Sequence, residues 1–257
     1  MCVIVLVNYP MRQAFCLIAH YPRESWMNFL KTFVYYDVYM IVDDNSENYQ
    51  SRYGEEYPNI CFIQIDNEEY KNAHFIDQDF SKETISGWHK ALYYFSTLNT
   101  TFDNVWFFED DVFIYKESTL LKIDMQYLQS DLISAPLEAN AAALRGTTDW
   151  HWYKVTVNYP PPWYKGMMCA VRMSAHLLRC IREYADKHKS LFFIEAMFPT
   201  VAKQNGLTCV SPSELENIHY RHDFQLIDIK KTHVYHPMKE YDLHPMLRTR
   251  MSKIVKI

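Results

Sequence analysis

Val105-Trp106-Phe107-Phe108-Glu109-Asp110-Asp111-Val112-Phe113-Ile114 sets three consecutive carboxylates between two apolar, aromatic flanks. Burying unpaired charge costs several kcal/mol per ion, so acids in such a setting are paired or coordinate a cation. The stretch reads as a buried strand that emerges at its carboxyl end, where the acids gather around a divalent ion. A second stretch of the same kind lies upstream, Tyr39-Met40-Ile41-Val42-Asp43-Asp44-Asn45-Ser46. Two apolar strands ending in acids point to a metal-dependent site for a phosphorylated ligand.

Working outward, the apolar run 2–7 predicts a first strand buried on both faces, broken by Asn8-Tyr9-Pro10. Trp26, Phe29, Leu30 and Phe33 recur at helical spacing and predict a helix over 24–36. Strands follow at 38–42 and 60–65, the latter ending at Asp66-Asn67, and Ser81 caps a helix that runs to about Leu98. Strands alternating with helices imply a doubly wound, mostly parallel α/β sheet with helices on both faces. Ligands bind such sheets outside the carboxyl ends of the strands, which places Asn8, Asp43, Asp44, Asp66 and Glu109 to Asp111 on one rim. Further strands are expected at 131–137, 167–173 and 207–210, with helices at 175–188 and 192–204. Between them, 146–163 reads as an aromatic loop with Trp150, Trp152, Tyr153, Tyr159 and Trp163. No linker divides the chain, so 1–257 is expected to be one catalytic domain. Its nucleotide-binding half is about 1–115, and its acceptor-binding half and tail about 116–257.

The chain of 257 residues is 49% hydrophobic and 16% aromatic, enough for a full core. Its net charge of −5 and the lack of a basic stripe argue against a nucleic-acid partner. The basic tail (Arg248, Arg250, Lys253, Lys256) reads as a solvated end. Six scattered cysteines (Cys2, Cys16, Cys61, Cys169, Cys180, Cys209) form no CxxC pair, so the expectation is buried free thiols rather than a thiolate zinc site. The 2–7 run is too short for a signal sequence and no stretch reaches the length of a membrane span, so a soluble, cytoplasmic protein is expected. Five glycines and neither GxGxxG nor a P-loop argue strongly against dinucleotide dehydrogenases and NTPases, and a phosphoester would need a metal to neutralise it.

The ordered motifs (Asn8-Tyr9-Pro10 after an apolar run, Ile41-Val42-Asp43-Asp44-Asn45-Ser46, and Phe107-Phe108-Glu109-Asp110-Asp111) resemble those of GT-A fold glycosyltransferases. Glu109-Asp110-Asp111 stands in the DXD position. The resemblance implies that Asp43 or Asp44 binds the base or ribose, and that Asn8 lies at the same nucleotide rim. It implies that Asp111 binds Mn²⁺ or Mg²⁺ bridging the diphosphate, with Glu109 and Asp110 on ribose or donor sugar. Hard cations of this kind take oxygen ligands. It further implies that Lys165-Gly166-Met167-Met168 shapes the donor and acceptor side, and that Glu195 deprotonates the acceptor in an inverting reaction. In Val234-Tyr235-His236-Pro237-Met238-Lys239, His236 would complete the metal shell, with His233 in reserve, and Lys239 would meet the diphosphate.

The activity so implied is transfer of a sugar from a nucleoside diphosphate sugar, with UDP the nucleotide, to a glycan acceptor. Three alternatives stand beside it: a sugar nucleotidyltransferase, a two-metal nuclease built on Asp43, Asp111 and Glu195, and a catalytically inactive carbohydrate-binding scaffold.

Overall fold

Gln13-Ala14-Phe15-Cys16-Leu17-Ile18-Ala19 forms the strand at the middle of the parallel part of the sheet and is buried along its whole length. The computed structural model describes residues 11–77, 86–140 and 156–253. The run 2–7 and Asn8 lie outside the described residues, as do Ser81, Trp150, Trp152 and Tyr153. The first described strand was not expected from the sequence, where the earlier apolar run 2–7 stood in its place.

In chain order the elements begin with β1 (Gln13–Ala19), α1 (Glu24–Leu30), β2 (Asp37–Val42), α2 (Tyr49–Tyr53), β3 (Ile60–Ile63), α3 (Asn67–Asn72), α4 (Ser86–Tyr93), β4 (Asn104–Glu109) and α5 (Glu117–Gln126). They continue with β5 (Leu132–Ile133), β6 (Glu138–Asn140), β7 (Trp163–Lys165), β8 (Ala170–Ser174), α6 (Ala175–His188), α7 (Ile194–Gln204) and β9 (Cys209–Val210). The tail holds β10 (Asn217–Ile218), β11 (Tyr235–His236) and α8 (Leu243–Lys253). The seven-stranded sheet has the order β3-β2-β1-β4-β8-β5-β9. Pairing is parallel except at β8, which runs antiparallel to both β4 and β5. This is the doubly wound, mostly parallel α/β architecture expected from the sequence, and its sheet runs through both expected halves.

Alternation along each strand feeds two cores. Ala14, Cys16 and Ile18 of β1 and Val105 and Phe107 of β4 pack with Trp88, Leu177 and Val201 from α4, α6 and α7. Phe15, Leu17, Trp106 and Phe108 face the opposite side and pack with Trp26, Leu30, Leu120 and Ile123 from α1 and α5. Each large apolar side chain so buried contributes roughly 1.5–3 kcal/mol.

The helix predicted over 24–36 ends at Leu30, because the chain turns to enter β2. The carboxylate of Glu117 accepts the backbone N–H groups of Val34, Tyr35 and Tyr36 and so holds that turn. The predicted helix reaching Leu98 is α4 followed by a π-helical turn over Tyr94–Leu98. In the core, Arg172 on β8 is fully buried with Asp124 of α5 at 2.9 Å, and it also donates to the carbonyls of Tyr127 and Ser130. Tyr36 and Trp106 complete the Asp124 carboxylate.

Of the basic tail, Arg250 and Lys253 are exposed as expected and Lys256 lies outside the described residues, but Arg248 is taken into the fold. Arg248 lies 3.5 Å over the Phe29 ring and donates to the carbonyl of Ile114, and burial lowers its pKa to about 9. A third core of Phe113, Tyr115, Ile229, Tyr235, Leu247 and Met251 fastens the tail to the sheet. No helix among the described residues is long and apolar enough to cross a membrane.

Candidate active site

β4 pairs in parallel with β1 on one side and antiparallel with β8 on the other, so the sheet changes direction beside the strand that carries the acids. Glu109, its last residue, pairs with Ile18 and donates its N–H to the carbonyl of Cys169 at 2.9 Å. The chain then turns through Asp110 and Asp111. Antiparallel bonds between Phe113 and Tyr235 (2.8 and 3.0 Å) bring β11 against this turn, and the N–H of Met238 donates to the carbonyl of Asp111 at 2.7 Å. The tail histidine thus reaches the acids by backbone pairing rather than by its own side chain.

Three side chains converge there. His236 points Nε2 at Asp111 Oδ1 across 3.1 Å and at Glu109 Oε2 across 3.7 Å. Its Nδ1 lies 2.7 Å from the carbonyl of His219, which can only accept, so Nδ1 carries a proton and Nε2 is the nitrogen left for a ligand. Trp88 donates its indole N–H to Glu109 Oε1 at 2.7 Å, which turns Oε2 toward the imidazole. The side chains of His236, Asp111 and Glu109 are 7%, 13% and 29% exposed, so the cluster is largely shielded yet open on the Glu109 side.

The pKa directions follow from this crowding. Burial raises the Glu109 carboxyl, and the neighbouring Asp111 charge adds to that. For His236, burial works against the charged ring, but the contact with Asp111 and the charges of Asp111 and Glu109 outweigh it and raise its pKa.

These residues fit the divalent cation that the DXD resemblance implies. Asp111 Oδ1 is buried with no hydrogen-bond partner, facing an imidazole nitrogen whose tautomer is already set. Carboxylate oxygens with one imidazole suit Mn²⁺ or Mg²⁺.

The other expected residues lie as follows. Asp43 directly follows β2, and its carboxylate is bound at 2.9 Å by Lys90, a fully buried lysine on α4 that also donates to the Asp43 carbonyl at 3.0 Å. Asp44 accepts from the hydroxyls of Ser46 and Tyr49, each at 2.5 Å, and these bonds, Ser46 first, lower its pKa. Its carboxylate serves the turn. Asp110 is held by Arg23 at 3.1 Å, and the Arg23 guanidinium stacks 3.8 Å from the Tyr241 ring, so Asp110 is committed to α1 and the tail. Lys239 is exposed. Asn8 lies outside the described residues.

Glu195 stands in the first turn of α7 and lines a cavity of about 300 Å³ with Lys165, Gly166, Met167, His219 and Tyr220. At Gly166 a Cβ would come within 2.7 Å of Leu137 Cδ2 and 3.1 Å of the Pro136 carbonyl, so a larger residue would displace the Leu137 side chain and crowd the loop. The Gly166 N–H donates to the carbonyl of Glu195 at 3.1 Å, joining the glycine loop to the helix. Since His219 both lines this cavity and orients His236, cavity and acid cluster adjoin.

Several residues at the site were missed from the sequence. Lys90 is a lone cation on the apolar face of α4 beside Trp88, Ala91 and Leu92, a pattern that signals a buried, paired lysine. Trp88, His219, Arg23 and Tyr241 left no comparable signal. The thiol of Cys169 lies within 4.8 Å of ligand atoms of Glu109 and His236. Burial, then the charges of Glu109, Glu195 and Asp111, push its pKa well above the ordinary thiol value.

No family model matches the sequence, and no curated protein matches it. Among solved structures, the chain is similar to 4-diphosphocytidyl-2C-methyl-D-erythritol synthase from Anaerococcus prevotii, with TM-score 0.48 and 11% identity over 95% of this chain and 96% of that one. It is similar to apo mouse xyloside xylosyltransferase 1, with TM-score 0.41 and 9% identity over 88% of this chain and 97% of that one. It is also similar to an active-site mutant of LgtC, with TM-score 0.44 and 11% identity over 93% and 95%. Identities this low leave function to be read from the site itself.

Proposed function

We propose that the protein is a metal-dependent glycosyltransferase that moves a sugar from a UDP-linked donor to a carbohydrate hydroxyl. The observation that carries this reading is the meeting of Glu109, Asp111 and His236 at the carboxyl rim of the sheet, with the buried Asp111 Oδ1 lacking a hydrogen-bond partner. Asp111, Glu109 and His236 would hold Mn²⁺ or Mg²⁺, which when bound neutralises the charge developing on the diphosphate leaving group.

The chain's own residues supply the rest. Lys90 fixes Asp43 beside the end of β2, where a carboxylate meets the hydroxyls or base of a nucleoside. Trp88 and the His219 carbonyl keep Glu109 and His236 in their orientations. Glu195, in the adjoining cavity, takes the proton of the attacking hydroxyl, which makes the reaction inverting. Lys239 is exposed on the segment after β11 and supplies a cation for the diphosphate.

The two-metal nuclease reading loses its main support, because Asp43 is engaged by Lys90. Calorimetric titration of UDP with Mn²⁺ present, and again with EDTA, tests the assignment. Binding that requires Mn²⁺ supports it; metal-independent binding detaches Asp111 and His236 from donor recognition, and no binding overturns the choice of UDP.

A further inference from the structure

Glu109, Cys169 and His236 each offer one ligand atom, all within 4.8 Å of one another. Each comes from a different part of the chain: the end of β4, the residue before β8, and β11. The absence of a CxxC pair therefore says nothing against a thiolate ligand here, since the fold rather than sequence spacing assembles the set. Cys169 is 6% exposed, and the Nε2 of His236 is the nitrogen left free by the bond to His219. The buried Asp111 Oδ1, 3.1 Å from that nitrogen and without a hydrogen-bond partner, lies beside the set.

Carboxylate, imidazole and thiol together form a donor set for a borderline-soft cation. Oxygen ligands suit Mg²⁺ and Mn²⁺, whereas thiolate and imidazole favour zinc and its neighbours in the series. In a tetrahedral zinc site Zn–S is about 2.3 Å and Zn–N about 2.0–2.1 Å, so ligand atoms stand roughly 3.5 Å apart. Glu109 Oε2 and His236 Nε2 already have nearly that spacing, at 3.7 Å. The sulfur stands within 4.8 Å of both and draws in toward them when a cation takes all three.

We propose that Glu109, Cys169 and His236 form a three-ligand site for a thiophilic divalent cation of the Zn²⁺ or Cd²⁺ class, overlapping the site for the hard cation. On binding, the thiol releases its proton to solvent and the sulfur takes the cation in its place. A hard six-coordinate ion held by the carboxylates and imidazole keeps positions for substrate oxygens and water. A tetrahedral ion on three protein ligands keeps one. A thiophilic ion there therefore competes with the hard cation for Glu109 and His236. That last consequence rests on the proposed transferase function; the binding itself does not.

Cobalt titration tests the binding without any substrate. Chelator-treated protein is titrated with Co²⁺ and read by absorption. The expected result is a thiolate-to-cobalt charge-transfer band in the near ultraviolet with visible bands of tetrahedral intensity, displaced by Zn²⁺. Cys169→Ser should lose the near-ultraviolet band and bind Zn²⁺ at least ~100-fold more weakly, since even outer-shell changes cost 10–100-fold. Cys61→Ser, at the exposed free thiol, should keep both. Near-ultraviolet dichroism confirms that each variant is folded, and Cys169→Ala replaces the serine variant if that one is not. No charge-transfer band in the wild type, or a band that survives Cys169→Ser or disappears with Cys61→Ser, overturns the proposal. A cobalt band in a protein that fails to bind UDP with Mn²⁺ would retain the soft-cation site while overturning the choice of UDP.

Discussion

His236 faces Asp111 with Nε2 3.1 Å from Oδ1, and the opposite ring nitrogen is fixed on the His219 carbonyl. An imidazole so oriented offers one lone pair to one place, the edge of the acidic turn. Asp111→Ala should leave the fold intact and abolish both turnover and Mn²⁺-dependent UDP binding. Unchanged metal-dependent binding in the titration calorimeter removes Asp111 from the site.

Glu195 lines the cavity next to that cluster. As a base it acts in the transition state, so Glu195→Gln should lower kcat by roughly 10²–10⁴-fold. Donor affinity should stay nearly constant. Parallel losses in kcat and in donor binding reassign Glu195 to binding.

Lys90 is buried beneath Asp43, to which it is bonded at both carboxylate and carbonyl. In Lys90→Met the carboxylate loses a charge-assisted bond of the kind worth about 1.5–3 kcal/mol. UDP affinity is expected to fall roughly tenfold or more. Affinity equal to wild type in a folded variant shows that Asp43 does not meet the nucleotide.

Arg172 and Asp124 form a pair with no solvent exposure on either side chain. Removing one partner leaves a buried charge, so Arg172→Met should cost about 3–5 kcal/mol in urea unfolding. The double variant Arg172→Met/Asp124→Leu should recover much of that loss. Equal destabilisation in single and double variants means that packing, not charge, dominates there.

His89 and His244 are buried, and burial lowers each pKa to about 4. Both are neutral in the folded protein, while in the unfolded chain they take up protons below the ordinary value of about 6.5. Their contribution is fully present above that value and is lost as pH falls toward 4, by about 1.4 kcal/mol per pH unit for each ring. Denaturant unfolding from pH 7 to 4.5 should show this slope, and His89→Leu should flatten it. A slope unchanged in that variant assigns the acid sensitivity elsewhere.

The acids of β4 and β2 were legible because charge next to an apolar strand is costly enough to demand a reason. α6 was legible too, since Leu177, Leu178, Ile181 and Tyr184 repeat at helical spacing. β1 was not, because the apolar run 2–7 just before it took the place of first strand in the pattern. At the site, His236 could be chosen from its surroundings among five tail histidines, but its alignment depends on the Phe113–Tyr235 pairing, which no local pattern encodes. The capture of Asp110 by Arg23 and of Asp43 by Lys90 are likewise long-range events. The three acids at 109–111 look alike in the sequence, yet they point to different partners because the chain turns between them.

The antiparallel bridge that carries His236 to the acids also sets an order on biosynthesis. A nascent chain that has left the ribosome through Cys169 already holds both acids and the thiol, but it has no imidazole to finish the ligand set. Only when Tyr235 has emerged and paired with Phe113 does the cluster become complete. Under the proposed function, metal capture would therefore wait on the tail, and a polypeptide still lacking it would offer the ion no imidazole.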